Sequence, residues 1–287
     1  MKIKLKYTLL ILFASVGLWL ACSEEDPTVG TPSIKSFTPS SGGPIGTVVG
    51  ISSTYNSSVS TVPTVVKFNG VEAELIDKTP GALVAIVPAG ATTGKISVSV
   101  NGITGNSATD FAVSSGTPAP YVMSFSPLKG GGLDNVSVDI KGVNFSSTLA
   151  ENIVKFNGVA AAVTAVSADK RTLTVKVPSG ATTGKITVEV AGQTATSASD
   201  FSVPAPTVTG VTPGFSIVGG TVVISGTNFS ATAANNVVKF NGVAADVPTG
   251  VSATSLTVIV PAGATTGKIS VTVDGQTATF GTDFTVN

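Results

Sequence analysis

The chain has 287 residues, with 16 basic and 16 acidic side chains, only 11% charged residues, 32 glycines, 16 prolines, one cysteine and no histidine. Without histidine and with a single cysteine there is no Ser-His-Asp triad, no Cys-His pair and no histidine-based or multi-cysteine metal site. The charge balance supplies no basic face for nucleic acid, and 42% apolar residues over this length suit two or three folded domains.

Lys2, Lys4 and Lys6 precede a mostly apolar run over residues 7–21, which leads into Cys22 and the acidic stretch Ser23, Glu24, Glu25, Asp26. Fifteen helical residues span about 22 Å, short of a membrane-crossing helix, so residues 1–21 read as a secretory leader. Its removal leaves 13 basic against 16 acidic groups. An ordinary cleaved leader with a cysteine nearby is the bland alternative. Cys22, the only cysteine, directly follows a small residue, where a lipoprotein signal peptidase needs it, and a diacylglyceryl thioether plus an N-acyl chain would anchor the protein stably. The segment Leu18, Trp19, Leu20, Ala21, Cys22 resembles a bacterial lipobox, with Trp19 where leucine is usual. The acidic residues 23–26 resemble the surface-export signal of Bacteroidetes lipoproteins, which implies the outer face of the outer membrane. Residues 22–31 are then the lipidated cysteine and tether.

Internal repetition governs the remainder of the chain. Val66-Lys67-Phe68-Asn69-Gly70 recurs from Val154 and from Val238, at spacings of 88 and 84 residues. Residues 87–98 and 260–271 both read VPAGATTGKISV, and residues 177–188 read VPSGATTGKITV. Pro39, Pro127 and Pro213 open the units, and Asp110-Phe111, Asp200-Phe201 and Asp283-Phe284 close them. The expected modules are residues 32–114, 119–204 and 206–287. In the first, period-two alternation and turn residues predict strands near 33–38, 47–52, 64–69, 71–76, 82–87, 95–100 and 109–113. Each Asn-Gly pair (69/70, 157/158, 241/242) predicts a two-residue hairpin turn with positive φ at both positions. No helical periodicity is found after residue 21. Ten of the thirteen phenylalanines sit at repeat-matched places and are expected to anchor cores: 37, 125; 68, 156, 240; 111, 201, 284; 145, 229.

Short strands, FNG hairpins, VP(A/S)G segments, terminal Asp-Phe pairs and the stretches Gly142-Val143-Asn144-Phe145 and Gly226-Thr227-Asn228-Phe229 together resemble the TIG, or IPT, domain. The resemblance implies an all-β chain of three tandem immunoglobulin-like β-sandwiches behind a lipoprotein signal peptide. Module 1 departs from it, with residues 50–55 replacing the G-x-N-F stretch. The linker at 114–119 (SSGTPA) reads as flexible and the one at 203–206 (VPAP) as stiff. Three such modules reach on the order of 100 Å.

The chemical inventory predicts no enzyme, no cofactor and no metal. Glu72 and Glu74, two apart on one predicted strand, share a face. Asp110, Asp200 and Asp283 are expected to accept backbone hydrogen bonds, and Asp134-Asn135 with Asp139 reads as a turn. The ligand-contact candidates are residues outside the repeat pattern: Tyr55 with Asn56, Tyr121, and Phe215 with Phe280. For Phe215 the bland alternative is filling the space left by Val211, which replaces a core phenylalanine. The expected function is a monomeric surface stalk or interaction protein, in contact with the membrane through its lipid and with surface proteins or polysaccharide, but not with nucleic acid. The alternative is a glycan-binding accessory lipoprotein of a polysaccharide-uptake system. Surface glycan-binding lipoproteins that use TIG-like stalks carry a further C-terminal binding domain, and the sequence ends at Asn287, one residue past the third module's last predicted strand.

Overall fold

A computed structural model describes residues 31–54, 63–131 and 136–287; the leader, Cys22, Tyr55, Asn56 and the Asp134-Asn135 pair lie outside the described residues. Apolar residues at alternate positions of short strands bury one face of each sheet, and two such faces close on each other. Module 1 packs a sheet ordered Ile34–Thr38, Val48–Ser53, Ala82–Ile86, Glu74–Thr79 against one ordered Val71–Glu72, Thr64–Phe68, Gly94–Val100, Ile103–Phe111. Module 2 repeats the order with Tyr121–Ser126, Ser137–Val143, Thr172–Lys176, Val163–Val166 over Val159–Ala161, Ile153–Phe156, Gly184–Val190, Gln193–Phe201. Module 3 does so with Thr207–Thr212, Thr221–Thr227, Ser255–Ile259, Gly250–Ser252 over Val243–Ala244, Val237–Phe240, Ile269–Val273, Gln276–Thr279. After the opening strand of modules 1 and 3 the chain crosses to pair in parallel with the closing segment, Gly43–Pro44 with Val113–Ser114 and Phe215–Ser216 with Thr285–Val286. This is an all-β, immunoglobulin-like arrangement, with helical residues among those described only in the single 3-10 turns Leu149–Glu151 and Ala233–Asn235.

Three separate apolar cores result, each drawn from one repeat. All ten repeat-matched phenylalanines are buried. Within modules 1 and 2 they meet as ring pairs, Phe68 with Phe111 at 5.1 Å and Phe156 with Phe201 at 4.9 Å, both edge-on. The Asn-Gly turns have φ of 44° and 88° at Asn69 and Gly70, with near-identical values in the other two copies. Asn69 Nδ2 donates to Thr92 Oγ1 at 2.8 Å and to Thr93 O at 3.1 Å, and Asn157 and Asn241 repeat the pattern. Hence the FNG and ATTGK motifs recur together: one grips the other, and Gly94 has no side chain because Asn69 occupies that space.

Several expectations fail, each for a local reason. The segment expected as one strand over 71–76 divides at Ala73, so Glu72 lies in one sheet and Glu74 in the opposite one; the two carboxylates share no face. The closing strand of module 1 runs over Ile103–Phe111, not 109–113, because its inward positions are Gly105 and Ser107, which leave no apolar alternation to read. Gly105 must be bare, since a Cβ there would collide with the Pro32 carbonyl oxygen. Strand register sets Ser53, not Gly50, in the place of Gly142, since Phe37 opposes Ile51 where Phe125 opposes Ile140. Asp110, Asp200 and Asp283 pair with Lys95, Lys185 and Lys268 at 3.1, 2.9 and 3.0 Å rather than taking backbone donors. These pairs are half exposed and contribute at most about 1 kcal/mol each.

Ser107 Oγ accepts the Ile96 N–H at 3.0 Å and donates to Thr109 O at 2.6 Å, bridging a bulge; Ser197 does the same in module 2. Module 3 has Phe280 at that place, half-buried against the core, as Val211 also is. Phe215 is 60% exposed and does not fill the space left by Val211.

Candidate contact surfaces at the module joints and the distal end

The joint between modules 1 and 2 is built from side chains on strand ends. Asn144, in left-handed backbone at φ 64°, comes directly after the strand Ser137–Val143. Its Nδ2 donates to Gly46 O of module 1 at 2.9 Å and to Ala119 O of the linker at 2.8 Å. Gln193, at the start of the last long strand of module 2, donates to Thr117 O of the linker at 2.8 Å. Arg171 reaches across from module 2 with a two-pronged contact, Nη1 to Glu74 Oε1 at 2.7 Å and Nη2 to Oε2 at 2.6 Å. A groove of about 250 Å³ lies here, lined by Glu74, Ile86, Asn144, Asp169 and Lys170 among others. At the joint between modules 2 and 3 two amides recur: Asn228 Nδ2 donates to Ala205 O of the linker at 2.7 Å and Gln276 Nε2 to the carbonyl of Val203, a module 2 core residue, at 3.4 Å. Linker composition singled out the second joint as stiff; among the described residues the charged bridge between modules is at the first.

The Arg171 guanidinium hydrogen-bonds the Glu74 carboxylate and holds its pKa below the ordinary 4.5, against a smaller opposing effect of burial. A depressed folded-state pKa means that the pair contributes at neutral pH and that its contribution fades as pH falls below 4.5 through the folded value. Both groups are partly exposed, so the effect on folding is small. Arg171→Ala at pH 7 should therefore broaden the distribution of distances between spin labels on modules 1 and 2, with a stability change below about 1 kcal/mol. Acidification of the wild type should broaden it in the same way.

The sequence-derived candidates fall in different places. Tyr121 is 36% exposed and sits opposite Val143, which lines the junction groove. Phe280 is half-buried against the module 3 core. Phe215 is 60% exposed, with Ile217 at 62% and Val218 at 46% close behind it in the chain. The opening strand of module 3 runs away from the linker toward Thr212, so this loop lies at the distal end. Tyr121 and Phe215 therefore belong to different modules and opposite ends, and form no common surface. Among the described residues no group of three or more His, Cys, Asp or Glu could hold a metal ion; Asp139 instead accepts the Thr174 hydroxyl at 2.7 Å. The joint residues Glu74, Asn144, Arg171 and Gln193 do not stand out in the sequence as contacts. Asn144 and Asn228 recur in the G-x-N-F stretches and Gln193 and Gln276 come after matched glycines, but repetition alone does not separate a joint contact from a fold determinant.

Fold and joints together define a tandem array of immunoglobulin-like modules held by strand-end side chains. The IPT/TIG domain model matches residues 120–203 and 206–286, and the chain belongs to that family. Solved structures that the chain matches include one described as a crystal structure with xylogluco-oligosaccharide (21% identity, 88% of this chain and 60% of that one, TM-score 0.33). Others are the titin I9-I11 tandem (12%, 85% and 94%, 0.36) and SGBP-B from a xyloglucan utilization locus in Bacteroides uniformis (22%, 58% and 50%, 0.28). This chain thus spans 60% of the first of these. The curated proteins give no match.

Proposed function

We propose that the protein is a non-catalytic surface lipoprotein in which Cys22 carries the lipid and three immunoglobulin-like modules, at residues 32–114, 119–204 and 206–287, form a spacer that makes contact through its distal end. The supporting observation is the placement of Phe215, Ile217 and Val218, three exposed apolar residues at the end of module 3 that points away from the linker. Surface apolar residues gathered at one end of a soluble sandwich mark an interaction site more often than scattered ones do. The location that goes with this reading is the outer membrane, facing outward, with the chain monomeric. Cys22→Ala should move the protein from the membrane fraction to the soluble one; continued attachment contradicts the anchor.

A second reading is contact with polysaccharide, for which Phe215 offers a flat ring beside Ser216, with Tyr55, Asn56 and Tyr121 as further candidates. Aromatic faces are what sugar rings stack on. If it holds, affinity electrophoresis of residues 23–287 in plant or host polysaccharides should show retardation that Phe215→Ser or Tyr55→Ala abolishes. Free migration in every polysaccharide leaves protein contact as the function.

A further inference from the structure

The loop that ends module 3 is the counterpart of the loop by which module 1 holds module 2. Gly46 and Gly219 have φ of 90° and 83°, and their N–H groups bond Val87 O and Val260 O, each at 2.9 Å. The parallel pairings Val113 with Gly43 and Val286 with Ser216 fix the correspondence: Ser216 stands for Gly43, Ile217 for Pro44, Val218 for Ile45 and Gly219 for Gly46. In module 1 this loop is a seat. Gly46 O takes the amide of Asn144, and Pro118 lies so close that a Cβ on Gly46 would come within 2.9 Å of it. In module 3 the same turn is kept, but among the described residues no asparagine amide reaches Gly219 O.

We propose that the distal end of module 3 seats the leading end of an immunoglobulin-like module belonging to another polypeptide, in the way that module 1 seats module 2. This rests on the reading that the distal end is the contact end. The sequence differences between the two loops suit a partner that is not covalently joined. Module 2 is tethered by a few linker residues, which keep it at high effective concentration, so a small seat is enough. An untethered partner loses far more freedom on docking, and buried apolar area must offset that loss. Module 3 supplies that area at two places, Phe215 at 60% and Ile217 at 62% exposure where module 1 has Gly42 and Pro44, while Val218 replaces Ile45 at equal exposure. Residues 213–223 carry no charge, so the surface has nothing to draw an anionic lipid or a charged peptide. The fitting partner presents an Asn in left-handed backbone to donate to Gly219 O, with aliphatic or proline side chains around it. A second copy does not fit this way. The leading ends of its modules 2 and 3 are engaged, and in module 1 the register that sets Ser53 in the place of Gly142 leaves Tyr55 in the sequence where Asn144 stands.

The test appends a copy of residues 115–204 directly after Asn287 of the chain 23–287, which reproduces the spacing by which Ser114 leads into module 2. Methyl resonances of Ile217 and Val218 and the amide of Gly219 should shift in the four-module chain. Those shifts should be lost when Asn144→Ala is made in the appended copy only, and weakened by Phe215→Ser in module 3. Unchanged resonances on appending overturn the proposal. So does a shift of the same methyls on adding phosphatidylglycerol vesicles or polysaccharide to the three-module chain while the appended module leaves them unmoved. Neither result depends on Cys22, so failure of the anchor and failure of the seat are read separately.

Discussion

Phe156→Ala should destabilise module 2 by about 3–5 kcal/mol and leave the other two modules unchanged. The side chain is fully buried and packs edge-on against Phe201 at 4.9 Å and 83°. Its strand is held on both sides, by Val159 and Ile186, so the backbone has little room to collapse into the cavity. The core it occupies contains only residues of the second repeat, so its loss does not spread through shared contacts. In a calorimetric scan one of three transitions should fall by more than about 12 °C, and limited proteolysis should then cut within 119–204. A shift shared equally among all transitions would mean that the modules fold as one unit.

Gly142→Ala is the second large effect, and it comes from overpacking. A Cβ on Gly142 would lie 2.0 Å from Tyr121 O and 2.5 Å from Phe145 Cζ. The first of these is backbone and cannot rotate away. Tyr121 and Val122 pair with Val143 and Gly142 just before a bulge in the opening strand, so the added methyl pushes that strand off the sheet. The expected cost is about 1–3 kcal/mol, measured as a lower denaturant midpoint for module 2. Gly226 is in the same position in module 3, 1.9 Å from Thr207 O, and Gly226→Ala should behave alike. Gly50→Ala is the control, since nothing lies within 4 Å of its Cβ direction. Equal effects at Gly142 and Gly50 would mean that the Tyr121 carbonyl gives way freely.

These two residues show why the fold was readable. Phe156 belongs to a period-two apolar pattern and Gly142 to a repeated motif, and both signals come from burial demands that every copy must meet. The closing strand of module 1 is hard to place because Gly105 and Ser107 face inward, and a small or hydroxyl residue at an inward place breaks the alternation on which strand reading depends. Glu72 and Glu74 read as neighbours on one face because nothing in the letters marks a strand that changes sheets at Ala73. The joint is illegible for a different reason. Arg171 and Glu74 are 97 residues apart and unmatched in the repeats, and their contact exists only once two modules stand end to end. Phe215 stands out as an unmatched aromatic, but the letters do not say whether it fills the space left by Val211 or faces outward; the fold, which leaves it 60% exposed, decides that. Exposed groups are under no packing demand, so their roles leave little trace in sequence pattern.

The proposed contact function requires module 3 to be held outside the cell at the end of a lipid-anchored array. Intact, unpermeabilised cells stained with an antibody against residues 206–287 test this directly. Surface staining that disappears in the Cys22→Ala variant is the predicted result; staining that appears only after the cells are permeabilised would contradict it.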